Sequence, residues 1–162
     1  MKRILLSVVC GMIVLSCGMD DAGAWSDTDL LPYGIPITIE APDSIVVKNS
    51  EVGGLMTDVT IKSDEPFDIQ IYASDAETND IAAIKADQLQ DVKGNRYFSR
   101  IVREEEPGFV FENRIDSNTV NYGFRYVYLQ GDKEYIFQTG LSGLFTLEET
   151  ERMFEAVKQA KR

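Results

Sequence analysis

The sequence predicts an α+β fold: an antiparallel sheet of six to seven strands with two helices packed on it. Three observations predict it. Short runs between residues 35 and 139 alternate apolar and polar side chains, the period of half-buried strands. The stretches between them are mostly of hairpin length and carry turn residues, which joins neighbours antiparallel. Two stretches change to the helical period, which gives the sheet something to pack against.

The elements follow in order. "IPITIEAP" (residues 35–42) puts Ile35, Ile37 and Ile39 on one side of a strand, and "DSIVVK" (43–48) makes a short second strand. "GGLMTDVTIK" (53–62) aligns Val59 with Ile61, and "PFDIQIYA" (66–73) aligns Phe67, Ile69 and Ile71 against Asp68 and Gln70. Pro42-Asp43, Gly53-Gly54 and Ser63-Asp64-Glu65-Pro66 supply the turns. Residues Asn79 to Gln90 then read as a helix, with Asn79 or Asp80 as N-cap and Ile81, Ile84 and Leu89 loosely on one side, where Lys85 also falls. Four more strands follow: "YFSRIV" (97–102), "GFVFENR" (108–114), "VNYGFRYVYL" (120–129) and "EYIFQT" (134–139). Asp116-Ser117-Asn118 joins the second to the third, and Gln130-Gly131-Asp132-Lys133 turns the third into the fourth. The closing "FTLEETERMFEAVKQAKR" has the Thr146/Glu149 spacing of a capping box and an apolar stripe of Leu147, Met153, Phe154, Val157 and Ala160. Its acids come first (Glu148, Glu149, Glu151) and its bases last (Lys158, Lys161, Arg162), as the helix dipole favours.

Ahead of the strands lies a different kind of chain. Lys2-Arg3 precedes an apolar run from Ile4 to Leu15, broken only by Ser7 and Gly11, the layout of a secretory signal. Its 12 residues would span about 18 Å as a helix, short of a hydrocarbon core of about 30 Å. Val14-Leu15-Ser16-Cys17 resembles a bacterial lipobox. The resemblance implies cleavage before Cys17 and a lipid on its sulfur, a triacyl modification rather than one marginally binding chain. An ordinary signal cleavage at Ala22-Gly23-Ala24 is the competing reading, but that site lies well beyond the apolar run. Gly18 favours the outer membrane over retention at the inner one, and Asp20-Asp21 resembles the start of Bacteroidota lipoproteins, some of which reach the cell surface. Which face of the outer membrane the chain occupies stays open. The expected organisation is a leader over 1–16, a lipid-anchored tether over 17–34 reaching roughly 20–25 Å if flexible, and one domain over 35–162. Trp25 and Leu30-Leu31 stand out in the tether as residues able to pack back on the domain.

The element order between Ile35 and Lys161 also resembles the PsbP-like fold, which includes the DcrB-like lipoproteins of bacterial envelopes. "ITIEAPDSIVV", "YGFRYVYLQGDKEYIFQTG" and "FTLEETERMFEAVKQAK" carry the resemblance: an opening strand into a Pro-turn, then a late hairpin and a helix across the sheet. The turn Pro42-Asp43-Ser44-Ile45 lacks the aromatic usual in those families. The resemblance implies an accessory or binding protein and transfers no functional residue.

Composition narrows the chemistry. The leader carries two of the 16 basic residues and none of the 27 acidic ones, so the remaining 146 of 162 residues have net charge −13. Such a chain repels nucleic acid and anionic lipid headgroups. There is no histidine, which excludes Ser-His-Asp and Cys-His machinery and His-based zinc sites. Cys10 lies in the leader and Cys17 takes the lipid, so neither a disulfide nor a thiolate site is available to the domain. Carboxylate pairs, Lys, Tyr or a Ser-Lys arrangement are what catalysis could still use.

Five features bear on that chemistry. "DAETND" (75–80) lacks the Gly at the sixth position and the Glu at the twelfth of an EF-hand loop, with Asp80 and Ala86 there instead, and reads as a polar loop capping a helix. Glu104, Glu105 and Glu106 could include a glycosidase pair, although adjacent acids at a turn read more simply as solvated. Tyr122, Phe124, Tyr126 and Tyr128 share a strand face and suit the floor under a helix better than a stacking platform. Arg125 lies on the opposite, solvent-facing side as a partner contact. Arg96, Arg100 and Arg103 pair with nearby acids rather than with a carboxylate ligand.

The functional expectation is therefore an outer-membrane-anchored lipoprotein with a non-catalytic binding or accessory domain, an envelope partner and no cofactor. The alternative is a carboxylate-dependent hydrolase acting on envelope glycans. A third reading is a structural spacer.

Overall fold

The computed structural model describes residues Trp25–Lys158. The leader, Cys17 and Ala160 lie outside the described residues. Two strands form a separate hairpin, β1 (Ser26–Asp29) and β2 (Thr38–Ala41). Seven more form one antiparallel sheet: β3 (Ile45–Val52), β4 (Met56–Ser63), β5 (Asp68–Asp75), β6 (Phe98–Glu105), β7 (Gly108–Arg114), β8 (Val120–Gln130) and β9 (Lys133–Thr139). Their spatial order is β3-β4-β5-β9-β8-β7-β6. Helix α1 (Ile81–Gly94) follows β5 and helix α2 (Leu147–Lys158) closes the described chain. The α+β class and the antiparallel sheet expected from the alternations are both present. Among the described residues no helix is long and apolar enough to cross a membrane.

The two helices lie on opposite faces of the sheet. Strand parity shows why. On β8, Phe124 and Tyr126 point to α2, where Phe154 meets them edge-on at centroid distances of 5.8 and 6.0 Å. Val127 points the other way and packs with Ile84 of α1 and Ile136 of β9. Phe109 and Phe111 of β7 pack with Val92 of α1 on that same second face. Phe124 and Tyr126 of the aromatic row are thus core, as the pattern suggested, with Tyr128 half-buried against them and Tyr122 half-buried outside that cluster. Strands buried on both sides lose clean alternation, which is what "GFVF" and "YVYL" display.

The capping box of α2 forms as read: the Thr146 N–H donates to Glu149 Oε2 at 2.8 Å and the Glu149 N–H to Thr146 Oγ1 at 3.3 Å. Helix α1 starts where Asp80 Oδ1 accepts from the Ala83 N–H, and runs four residues past Gln90 to Gly94. The extra turn holds Val92, which is buried on β7.

The expected boundary at residue 35 is corrected. Residues 25–34, assigned to the tether, belong to the domain. Leu30 is fully buried, a 3₁₀ turn (Leu31–Tyr33) closes on Gly34 in the left-handed region at φ 86°, and β1 pairs with β2 from Ser26↔Ala41 to Asp29↔Thr38. Trp25 fixes the start of this hairpin. Its ring meets Phe67 edge-on at 4.9 Å, its indole N–H donates to Glu65 at 3.2 Å, and the Arg152 guanidinium lies 3.9 Å from its centroid. The hairpin and α2 together cover one face of the sheet, with Ile35, Ile37 and Ile39 in the same core as Val59, Ile61, Ile69 and Ile71.

Candidate functional site

The second face of the sheet is only partly covered. Helix α1 crosses β8, β7 and β6, and the loop Gly140–Gly143 rises at the end of β9. Between them opens a cleft of about 630 Å³ floored by Phe111, Gly123 and Arg125. A second cleft of about 420 Å³ shares Asp91, Arg125 and Leu141 with the first and continues between α1 and strands β5 and β9. Volumes of this size are those of small-ligand sites.

Arg125 stands at the junction of the two. The expectation of a solvent-facing contact is corrected: its side chain is only 16 % exposed, because α1 covers that side of β8. Its Nε is buried with no hydrogen-bond partner. One Nη donates weakly to the Phe124 carbonyl at 3.4 Å, and the other lies 4.0 Å from Asp91 Oδ2, whose side chain is 75 % exposed. The Phe111 ring centroid lies 6.0 Å from the guanidinium. Burial pushes the guanidinium down from the usual arginine value, with the Asp91 and Tyr72 charges opposing; an arginine still keeps its proton in such a site. Among the described residues, Arg125 is the only base lining either cleft.

The floor is shaped by what β8 leaves out. A Cβ on Gly123 would stand 2.7 Å from Phe111 Cζ and 3.0 Å from Thr139 Oγ1, so glycine there lets the Phe111 ring lie across the strand. Asn113 and Asn121 pair across β7 and β8 beyond it. Asn121 Oδ1 accepts the Phe145 N–H at 2.7 Å, which leaves its NH₂ group as the donor end. Asn113 Oδ1 is buried without a partner. On the other side, Gln138 donates to Gln70 at 2.9 Å, and Gln70 donates to both oxygens of Asp58 at 3.0 Å, an amide ladder across β9, β5 and β4.

No family model, curated protein or solved structure matches the chain. Site chemistry therefore carries the functional reading.

Glu104 and Glu105 of the acidic turn are engaged in ion pairs. Glu105 is held by Lys158 at 2.9 Å and by Arg103, which also reaches Glu155 at 2.7 Å. The Lys158 hydrogen bond pulls the Glu105 carboxyl below its usual range despite partial burial, the reverse of the raised value a general acid needs. Glu104 pairs with Lys85 at 3.1 Å, whose ammonium also meets the Glu105 carbonyl at 2.8 Å. Lys85 thus lies on the inner side of α1 because β6 offers it two oxygens.

Arg100 pairs with Glu112 at 2.9 Å, in line with the expected pairing of the arginines, while Arg96 lies 4.5 Å from the Tyr97 ring centroid. In the "DAETND" loop, Asp80 caps α1. Among the described residues no group of three or more Cys, Asp or Glu side chains is placed to hold a metal ion.

One Ser-Lys arrangement exists that the sequence did not flag. Ser142 Oγ donates to Asp68 Oδ2 at 2.9 Å, and the Lys62 ammonium contacts both, 3.0 Å from Asp68 Oδ2. A lysine base needs a desolvated neutral amine. Lys62 instead sits 43 % exposed against a carboxylate. The trio clasps the cleft loop to the ends of β4 and β5. Nothing in sequence spacing signals it, since its members come from β4, β5 and the loop after β9.

Proposed function

We propose that the chain is an outer-membrane lipoprotein, anchored through Cys17, whose domain is a non-catalytic binding module of the cell envelope that engages its ligand at the Arg125 clefts. The observation that carries the binding role is the buried guanidinium of Arg125, open to a cleft and under-supplied with partners. A buried charge without full compensation costs stability, and such costs concentrate at functional sites. The lipobox-like run Val14–Cys17 supports the anchor. The resemblance of the sequence to PsbP-like domains, which mostly serve as accessory proteins, supports the binding role.

Fractionation of cells expressing wild type and Cys17→Ala tests the anchor: wild type partitions with membranes and the variant is released. Retention of the variant in membranes overturns it. Incubation with envelope glycans tests the absence of catalysis: cleavage lost in Glu104→Gln, Glu105→Gln or Glu106→Gln variants would establish the hydrolase instead. Protease shaving of sealed cells reports which face of the membrane the domain occupies.

A further inference from the structure

We propose that one end of the sheet, bearing residues 140–144 and the turn between β7 and β8, is seated on the lipid surface, with Leu141 and Leu144 entering the boundary between headgroups and acyl chains. The inference rests on the lipid anchor proposed above and adds a second point of attachment.

Four of the eight large apolar side chains exposed among the described residues lie at this end: Leu141 at 84 %, Leu144 at 62 %, Ile115 at 39 % and Val120 at 37 %. They come from neighbouring segments. Strands β7, β8 and β9 are adjacent in the sheet, Ile115 and Val120 flank the turn between β7 and β8, and the leucines follow β9. The pairing of β8 with β9 ends at Arg125↔Gln138, so the first residues of β8 project past β9. The chain after β9 climbs along that free length: the Tyr122 N–H donates to the Phe145 carbonyl at 3.1 Å and the Phe145 N–H to Asn121 Oδ1 at 2.7 Å.

The leucines are held outward. Ser142, between them, donates to Asp68 at 2.9 Å, and Phe145, beside Leu144, is buried. A segment pinned at both points is not free to fold its leucines under itself. A fixed group of exposed apolar side chains marks a contact surface.

The path of the chain says what covers it. The Trp25 ring meets Phe67 at 4.9 Å, and the next residue, Asp68, holds Ser142. The described chain thus begins two side-chain contacts from the leucines. Eight steps of extended chain between Cys17 and Trp25 reach at most about 28 Å. A lipid on Cys17 therefore keeps this end of the sheet near the bilayer, with the Gly53-Gly54 and Gly131 turns at the far end of the strands.

Charge selects the mode of contact. The net charge of −11 repels anionic headgroups. Two bases near this end, Lys62 and Arg114, are paired with Asp68 and Glu112. Seating is therefore by apolar insertion, which adds to an acyl anchor without anionic lipid. Leu141 also lines both clefts, so a seated domain turns their mouth toward the lipid.

The test uses full-length protein purified from membranes with its own lipid and reconstituted in vesicles of phosphatidylcholine alone. A nitroxide is attached at Leu141→Cys, at Leu144→Cys or, at the far end, at Leu55→Cys, a position 85 % exposed. Substitutions at such exposed positions leave the fold intact. Collisions with oxygen, which concentrates among acyl chains, and with a water-soluble nickel complex are measured for each label. The oxygen-to-nickel ratio is expected to be several-fold higher at Leu141→Cys and Leu144→Cys than at Leu55→Cys.

Protein that floats with the vesicles while all three labels stay aqueous overturns the seating and leaves the anchor standing. Labels at Leu141→Cys and Leu144→Cys shielded from both reagents mean that protein covers the patch, a second copy or another partner, and overturn the seating as well. Wild type that fails to float with the vesicles overturns the anchor and the seating together.

Discussion

Arg125 and Asp91 face each other at 4.0 Å across the seam between β8 and α1, the arginine mostly buried and the aspartate mostly in water. That is an ion pair in which one member has lost its hydration and the other has not. The exposed partner is screened and the distance is long, so the pair returns little of what burying Arg125 costs.

Arg125→Met is accordingly expected to stabilise the domain by about 1 kcal/mol, the direction seen when poorly compensated buried charges become apolar. For a domain of this size that raises the melting temperature by about 4 °C. Thermal unfolding of wild type and variant checks it. A fall of several degrees would show that Arg125 holds the fold together rather than serving a ligand.

Gly140 is the tight point of the cleft wall. A Cβ there would stand 1.8 Å from Asp68 Oδ1, inside the Asp68–Ser142–Lys62 clasp. Gly140→Ala is expected to cost about 1–3 kcal/mol by forcing that contact apart. Gly94→Ala meets nothing within 4 Å, at the last turn of α1, and is expected to be neutral or to stabilise by up to about 1 kcal/mol. The urea midpoint should therefore fall for Gly140→Ala and hold or rise for Gly94→Ala.

Glu105 links acidity to stability. Its folded-state carboxyl is depressed, chiefly by the Lys158 hydrogen bond. Between the folded and unfolded values the unfolded chain binds more protons, so stability rises with pH. The contribution is complete above the ordinary glutamate value of about 4.3 and is lost as pH falls through the folded value. Glu105→Gln should flatten that part of the curve of urea midpoint against pH. An unchanged slope would remove Glu105 from the acid sensitivity.

Trp25→Ala removes an edge-on ring contact, an indole hydrogen bond and the surface on which Arg152 rests. The loss is expected at about 1–3 kcal/mol and to fall first on the outer hairpin. Hydrogen exchange at Ser26–Asp29 should accelerate more than at Ile69 or Phe137. Uniform acceleration across the sheet would mean the hairpin is no separate unit.

Much of the fold was legible because alternation and capping are local. Ile69 and Ile71 announce which side of β5 is buried, and Thr146 with Glu149 announces where α2 begins. Arg125 was not legible as a buried residue. Its strand neighbours Asn121 and Gly123 make that face look wet, and the cover comes from α1, some thirty residues upstream. The available hint was Phe109 and Phe111 flanking Val110: apolar residues of both parities require a cover on both faces. Asp91 and Asn113 had no local signal, since their roles arise where α1 crosses the sheet. The first strand was hidden for a different reason. "SDTD" is polar throughout, and its apolar neighbours Trp25 and Leu30 stand outside the strand at its two ends.

Trp25 is clasped beside Glu65, in the turn between β4 and β5, at the same end of the sheet as Asp68 and the loop Gly140–Gly143. Only seven residues lie between it and Cys17, eight steps of chain that reach at most about 28 Å when fully extended. With Cys17 held in the bilayer as proposed, the end of the sheet that carries the cleft mouth stays within a few nanometres of the lipid surface. A ligand that is itself tethered to that surface then encounters the cleft in a thin layer rather than in bulk volume. Its effective concentration there reaches the millimolar range, so a weak intrinsic affinity is enough to keep the site occupied.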